Sequence, residues 1–569
     1  MLNMFEQAIR SDSFDIRPIS TSIAADTADS ARPVPAHSLT SRSPGSTLSI
    51  QYTFIVRGGT MKKKIPLLAI AAITGAALVA PLQAPAPAAA FTSTQATEAF
   101  DDFLDVYWDD AADYFYTYSD HQIHAEHAHG PQGGLYTDYW WEAQLWEMVM
   151  DRYERTGDAQ SRALIDDVFA GFQAQYPDFR ENDWNDDIGW WARGSIRAYE
   201  LTGDADYLAA AEEMFAFIAP YEDTTYGGGI WWKNIDVGDG TRNEKNVATN
   251  ATAVYTAMRL YAATGDTTYR ATAVRIYDWL DANFNNAGHL RDHVAGTGQY
   301  TDWDWTYNEG NFAGAALELW LDTGSAAYLS DATDAVDWAV ANMTSSGTLL
   351  REGIDDTGGF KAILTRNIRH LVDEAGQTQY EQFLTDNATQ AANHVNSAGI
   401  GGYDWTAPTP ELSSTALQSL AAAATVAVLQ QASPDGYTGV IEGSGVYEAE
   451  NAVRNGVDSE STAAGKSGRG YLAGWNTSGT SVVFHVNVVD GGTYTVDLRY
   501  AAGAGDATRS VIVDGGSATS VSFPGTSGWD QWASVPTTVT LTPGHNTITV
   551  SYDTGSSNYL NLDRLTLAL

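Results

Sequence analysis

Two domains of different class are predicted: an all-α domain of paired helices closing into an (α/α) barrel, followed by an all-β sandwich. Three observations carry this. From about residue 97 to 430 apolar residues recur at three- and four-residue spacing, as in Ala143-Gln144-Leu145-Trp146-Glu147-Met148-Val149. Within that stretch a short phrase returns at Thr156-Gly157-Asp158, Thr202-Gly203-Asp204 and Thr264-Gly265-Asp266, with the variant Thr323-Gly324-Ser325. After about residue 445 the period becomes two, in short runs punctuated by glycine. A chain of 569 residues has room for both at roughly 150 residues per domain, and 44% hydrophobic residues exclude wholesale disorder.

The first 60 residues are rich in Ser, Thr, Pro and Arg without an apolar period, which reads as a disordered extension or as sequence upstream of the true start. Residues 61–90 have the three parts of a secretory signal peptide. Met61-Lys62-Lys63-Lys64 is the positive end, Ile65 to Ala80 the apolar run, and Ala88-Ala89-Ala90 the small-residue cleavage region. The run falls short of the ~20 apolar residues that span a bilayer, so export is expected, without membrane insertion of the mature chain.

Residues 91–432 form the helical domain. In each recurring phrase Gly closes one helix in the left-handed conformation and Asp or Ser caps the next. The phrases lie 45–60 residues apart, about one helical hairpin plus loop insertions. Such hairpins imply a closed ring, with an open solenoid as the competitor that the irregular spacing disfavours. A Ser-, Pro- and Gly-containing stretch at 433–445 reads as a linker. In 446–569, Ser481–Val488 and Thr493–Tyr500 alternate about the turn Gly491-Gly492, and Thr538–Leu541 and Asn546–Val550 continue across Pro543-Gly544, as in a β-sandwich.

Composition narrows the function classes. Lys+Arg 31 against Asp+Glu 71 gives a charge of -40, which repels nucleic acid and anionic membranes. Absence of cysteine excludes disulfides, thiolate metal sites and cysteine nucleophiles. The 18 Trp and 29 Tyr provide flat amphipathic rings that suit sugar faces, although cores use them too.

The densest chemical cluster is Asp183-Trp184-Asn185-Asp186-Asp187-Ile188-Gly189-Trp190-Trp191. Glycosidic cleavage needs two carboxylates, one to attack or activate water and one to protonate the leaving oxygen. Adjacent Asp186 and Asp187 are close enough for a retaining pair, and one of two such neighbours holds its proton. Asp-Asp also occurs at 101–102, 109–110, 166–167 and 355–356, where a helix's first turn favours acids for structural reasons. The tryptophans and glycine around 186–187 set that pair apart. Three further aromatic-polar clusters precede helices: Tyr139-Trp140-Trp141-Glu142; Gly228-Gly229-Ile230-Trp231-Trp232 with Lys245-Asn246; and Trp303-Asp304-Trp305-Thr306-Tyr307-Asn308-Glu309-Gly310. Trp supplies platforms, and Asn and Lys donate to hydroxyls.

The order of these motifs, together with Phe360-Lys361-Ala362, resembles glycoside hydrolase family 76 over roughly residues 97–430, with Ala362 standing where the family carries glycine. The resemblance implies an (α/α)6 barrel and a retaining endo-α-1,6-mannanase acting on α-mannan without a catalytic cofactor. It makes Asp186 the nucleophile and Asp187 the general acid/base. Substrate contacts are then expected from Trp140, Trp141, Trp190, Trp191, Trp231, Trp232, Lys245, Asn246, Trp305, Tyr307 and Asn308. The competitors are another (α/α)-barrel sugar enzyme, of unsaturated uronyl hydrolase or epimerase type, and a non-catalytic glycan-binding protein. Tyr447-Glu448-Ala449-Glu450 and Asn561-Leu562-Asp563 resemble carbohydrate-binding modules of families 6 and 35, which implies a jelly-roll-like sandwich. Glu448 and Glu450, two apart on a strand, would meet Asp563 as three hard oxygen donors suited to a structural Ca2+. Trp532, with Trp529 as its rival, and Asn561 are the expected glycan contacts of the module.

Overall fold

The computed structural model describes residues 91–568 apart from 236–243, 433–444, 469, 489–490 and 543. The expected extension (1–60), signal peptide (61–90) and all but the last residue of the linker lie outside the described residues. No helix among the described residues is long and apolar enough to cross a membrane.

Twelve α-helices follow one another among the described residues: α1 Ser93–Tyr107, α2 Tyr139–Thr156, α3 Ala159–Gln175, α4 Asn185–Thr202, α5 Ala205–Ile218, α6 Val247–Thr264, α7 Thr267–Phe284, α8 Thr306–Thr323, α9 Ala326–Asn342, α10 Phe360–Ala375, α11 Glu381–Asn393 and α12 Ser419–Gln431. The even-numbered helices are buried along most of their length and pack in a ring, α2 on α4, α4 on α6, α6 on α8, α8 on α10, α10 on α12 and α12 back on α2. That last contact makes the barrel closed and excludes the solenoid. Odd-numbered helices bury one stripe against the ring.

The recurring phrase does what its chemistry predicts. Gly157, Gly203, Gly265 and Gly324 close α2, α4, α6 and α8 with φ between 64° and 73°. Asp158, Asp204 and Asp266 then accept backbone N–H groups of α3, α5 and α7 through their side chains. Ser325 begins α9 without such a side-chain bond. These tight turns gather at one end of the barrel, so the long loops that precede the inner helices gather at the other. Ala362 sits buried in the first turn of a regular α10, so the methyl is accommodated where glycine was expected.

The barrel axis is charged, which the apolar periodicity does not announce. Arg197 pairs with Glu147, Asp151 and Glu154, and Arg366 pairs with Asp151 at 2.8 Å. All these side chains are buried.

Three strands in the loops matter for the site: β1 Glu244–Asn246 pairs antiparallel with β2 His293–Ala295, which pairs with β3 Gln299–Thr301. The C-terminal sandwich comprises β4 Val446–Glu448, β5 Val453–Asn455, β6 Asp458–Glu460, β7 Tyr471–Ala473, β8 Ser481–Val488, β9 Gly492–Ala501, β10 Ala507–Val513, β11 Thr519–Phe523, β12 Ala533–Leu541, β13 Gly544–Ser551 and β14 Asn561–Ala568. One sheet has the order β6-β7-β14-β9-β12 with β4 also on β14; the other has β5-β8-β13-β10-β11. All pairings are antiparallel, and Val, Leu, Ile and Tyr from both inner faces fill the core between the sheets. The sandwich meets the barrel at the tight-turn end of α8, where the Arg454 guanidinium lies 4.5 Å over the Trp320 ring.

Candidate active site

Asp186 and Asp187 occupy the first turn of α4, at the long-loop end of the barrel, and both remain partly exposed. Helix α4 has no side-chain cap; its start is pinned instead by the neighbouring loop, since Asn185 donates its backbone N–H to Trp232 O at 2.7 Å and its side-chain amide to Trp231 O at 2.8 Å. This docking brings Trp232 to the catalytic candidates. Its indole N–H donates to Asp186 Oδ2 at 2.8 Å, while the Asp187 amide donates to Asp186 Oδ1 at 3.0 Å. Asp187 Oδ2 accepts from Asn182 Nδ2 at 3.0 Å.

The two environments pull apart. Burial raises Asp186, but the two donors offset part of that, and its carboxyl is pushed up to about 7. Burial also raises Asp187, and the charges of Asp186, Asp138 and Asp356 raise it further, with Asn182 alone opposing them, so it stands well above the ordinary carboxylate range. Neighbouring negative charge thus favours the protonated form of Asp187, while the two donors favour the charged form of Asp186. Such a pair offers an acid and a nucleophile side by side at neutral pH.

Aromatic rings gather on the same side of the barrel as this pair, and Tyr307 feels the charge of Asp186. Phe360 lies 4.2 Å from Tyr307, 5.7 Å from Trp305 and 6.2 Å from Trp140, and Trp140 lies 6.4 Å from Trp190. Trp140, Trp305, Tyr307 and Phe360 are each partly exposed, so their rings are available to a sugar face. On the opposite side Lys233 lies 4.7 Å over Trp184 and 5.5 Å over Trp232. Glu244 at the start of β1 adds negative charge near Asp186.

Several expected substrate contacts are structural instead. Trp191 is fully buried, stacked on Phe172 at 3.5 Å with its N–H on Tyr139 O at 2.7 Å. Trp141 is also fully buried; it donates to Asp356 at 3.0 Å behind the exposed Trp140, which donates to the same oxygen at 3.0 Å. Trp190 is buried beneath Trp140, and Trp231 is buried with its N–H on Asp223 at 2.9 Å. The Lys245 ammonium is fully buried and donates to Asp223 Oδ1, Asp223 O, Thr225 O and Gly228 O at 2.8–3.0 Å, which spends its hydrogens on the loop. Asn246 caps α6 through the Thr249 amide, and Asn308 is fully buried on Asp292 at 3.0 Å. Residue type and loop position could not separate these buried groups from the exposed ones. Conversely, Asn182 and Asp356 were missed. Asp356 looked like one of several structural Asp-Asp pairs, and the Gly358-Gly359 that follows it was its one local sign of a shaped loop.

In the module, Trp529 is the accessible ring, 39% exposed and laid over Gly503, whereas Trp532 is half-buried between Tyr471, Arg499 and Gly465 with its N–H on Ala464 O at 2.9 Å. Of the two expected glycan contacts, Trp529 is thus the more exposed ring. Asn561 is buried at the start of β14. Glu448 ends β4, but Glu450 lies in a 3-10 turn, so strand alternation is not what aligns them. They do converge, both against Gly468, and the Ser467 hydroxyl lies 2.7 Å from Glu448 and 2.8 Å from Asp563. Asp563 also pairs with Arg499.

Comparison with known proteins decides the family. Residues 92–438 match the model of glycosyl hydrolase family 76. The chain belongs to that family. Residues 445–569 match carbohydrate binding module family 35, so this hydrolase carries a binding module after its barrel. An α-1,6-mannanase of Salegentibacter sp. HEL1_6 has a solved structure that is 26% identical, covering 60% of this chain and 98% of that one with a TM-score of 0.53. A variant of that mannanase, described as inactive and with two adjacent aspartates changed to asparagine, was solved with α-1,6-mannotriose. A mannan endo-1,6-α-mannosidase of Saccharomyces cerevisiae is 24% identical over 47% of this chain and 65% of its own length. An isomaltosyltransferase of Sporosarcina globispora is 40% identical over 121 residues, 21% of this chain and 11% of that enzyme. The chain thus covers less than two thirds of either curated relative, and the transferase match has the length of the module, not of the barrel.

Proposed function

We propose that the protein is an exported, endo-acting mannanase that cleaves α-1,6-mannosidic linkages with retention, and that its module holds it on polysaccharide. The observation that carries this reading is the unequal environment of Asp186 and Asp187, both partly exposed among partly exposed aromatic rings. Asp187 protonates the departing glycosidic oxygen while ionised Asp186 attacks the anomeric carbon; water, deprotonated by Asp187, then displaces Asp186 and releases the mannooligosaccharide held on it. Trp232 and the Asp187 amide stabilise the attacking charge, and Trp140, Trp305 and Tyr307 hold the neighbouring sugars. The names of the Salegentibacter and yeast relatives support the linkage, and the paired aspartates of the inactive variant support the residues. A uronate substrate would call for cationic walls, whereas Asp138, Glu244 and Asp356 crowd this site with negative charge.

The test compares wild type with Asp186→Asn and Asp187→Asn on linear α-1,6-mannan, reading oligosaccharide release and the first anomer formed. Losses on the order of 10²–10⁴-fold or more and a first-formed α product are expected. Near-normal turnover by either variant, or a β product, rejects the mechanism. Unchanged wild-type substrate rejects the linkage.

We also propose a structural Ca2+ in the module. The donor set fits: Glu448, Glu450 and Asp563 supply oxygen ligands, and the crowding of buried Glu450 and Asp563 on partly buried Glu448 calls for a cation beyond Arg499. The ion would hold β4 to the turn that follows it; the glycan ring platform is Trp529.

A further inference from the structure

We propose that His127, His129 and Asp138 form a zinc site where the loop before α2 meets its N-terminus, distinct from the Asp186–Asp187 pair. His127 Nε2 lies 3.4 Å from Asp138 Oδ2, and His129 Nδ1 lies 3.2 Å from the same oxygen. A tetrahedral Zn2+ with bonds of ~2.0–2.2 Å to nitrogen and oxygen holds neighbouring ligand atoms about 3.4 Å apart. The separations are those of two edges of such a tetrahedron, and the first is too long for the ~2.7–2.9 Å of a charge-assisted hydrogen bond. One ligand atom from each of the three residues lies within 4.8 Å of the other two.

The surroundings point the same way. His127 is fully buried, and its Nε2 makes no hydrogen bond among the described residues. Its Nδ1 is bonded to the Asp355 carboxylate, the arrangement that fixes the tautomer of a metal-bound histidine and leaves Nε2 free to ligate. Asp138 is divided likewise: Oδ1 caps α2 by accepting the Trp141 amide at 3.1 Å, while Oδ2 faces the two imidazoles. The His129 side chain is 56% exposed, which gives the ion an entry path and a solvent ligand. Two imidazoles and one carboxylate select a borderline ion over the hard Ca2+ proposed for the module. A zinc ion here would tie the loop before α2 to its first turn and so fix Trp141, on which His127 stacks at 4.0 Å.

The test titrates the untagged full chain, stripped by a chelator and returned to excess Ca2+, with ZnCl2 by calorimetry and with CoCl2 by visible absorption. The variants are His129→Ala and, as a control on the same loop, His124→Ala. One saturable equivalent, the intense absorption of tetrahedral cobalt, and at least tenfold weaker binding by His129→Ala alone are expected. No saturable equivalent, equal binding by wild type and His129→Ala, or equal weakening in both variants overturns the site.

Discussion

Trp232 donates its indole N–H to Asp186 at 2.8 Å, so a loop anchored to β1 sets the charge state of a carboxylate on α4. The backbone bond from Trp232 N to Glu244 O at 2.9 Å holds that loop in place. This relationship gives two chemically identical neighbours the different environments that the proposed nucleophile and acid require.

The pH profile should report it. Asp186 acts ionised, so kcat/KM rises as pH climbs through its value of about 7, above the usual carboxylate range. In the proposed cycle Asp187 acts protonated, so activity should fall as pH climbs through the raised range of its carboxyl. Trp232→Phe removes a donor to the charged form and raises Asp186, so the rising limb moves to higher pH. A hydrogen bond to a charged group contributes ~1.5–3 kcal/mol, so kcat/KM below neutrality should fall roughly 10–150-fold. A rising limb that stays in place would show that the indole does not govern Asp186.

Trp140 and Trp191 should separate binding from folding. Trp191→Ala empties a fully buried site and should cost about 3–5 kcal/mol of stability. Trp140→Ala removes a partly exposed ring, so KM for mannan should rise while the melting temperature changes little. Thermal melts beside Michaelis curves check this, and equal destabilisation by both would contradict the division.

The barrel axis gives a third expectation. Arg197 neutralises Glu147, Asp151 and Glu154 at once, so Arg197→Met leaves buried charges uncompensated and should cost about 3–5 kcal/mol in chemical denaturation. Adding Asp151→Leu should not recover stability fully, because Arg366 then loses its 2.8 Å partner and is left with Glu147 at 3.7 Å.

Much of this architecture was legible in local chemistry. Gly203 followed by Asp204 states where one helix ends and the next begins, and adjacent Asp186 and Asp187 among tryptophans mark the site. Ring closure was legible as the preferred of two arrangements through the irregular repeat spacing, but not the contact that makes it, α12 on α2, which joins segments almost 300 residues apart and which periodicity does not encode. Burial was equally hidden: Lys245 has the chemistry of a sugar donor, and four acceptors brought by the loop at 223–228 remove it from that role. Trp529 and Trp532 differ in exposure because Gly503 lies under one ring and Tyr471 beside the other, a fact of tertiary packing.

The last expectation concerns the module. Burial and the neighbouring Glu450 raise the Glu448 carboxyl from 4.5 to about 8. Between those values the folded module holds a proton that the unfolded chain has released, so without a cation its stability falls as pH rises through this window. Ca2+ binds the ionised form and should reverse that trend. Hydrogen exchange over residues 446–568 in the full chain should therefore quicken between pH 5 and pH 8 in chelator, beyond the intrinsic rate, and stay protected in Ca2+. Glu448→Gln is neutral at every pH and should abolish both the pH-dependent loss and the Ca2+ response. If the variant keeps the wild-type response to either, the titrating group and the ligand are not Glu448.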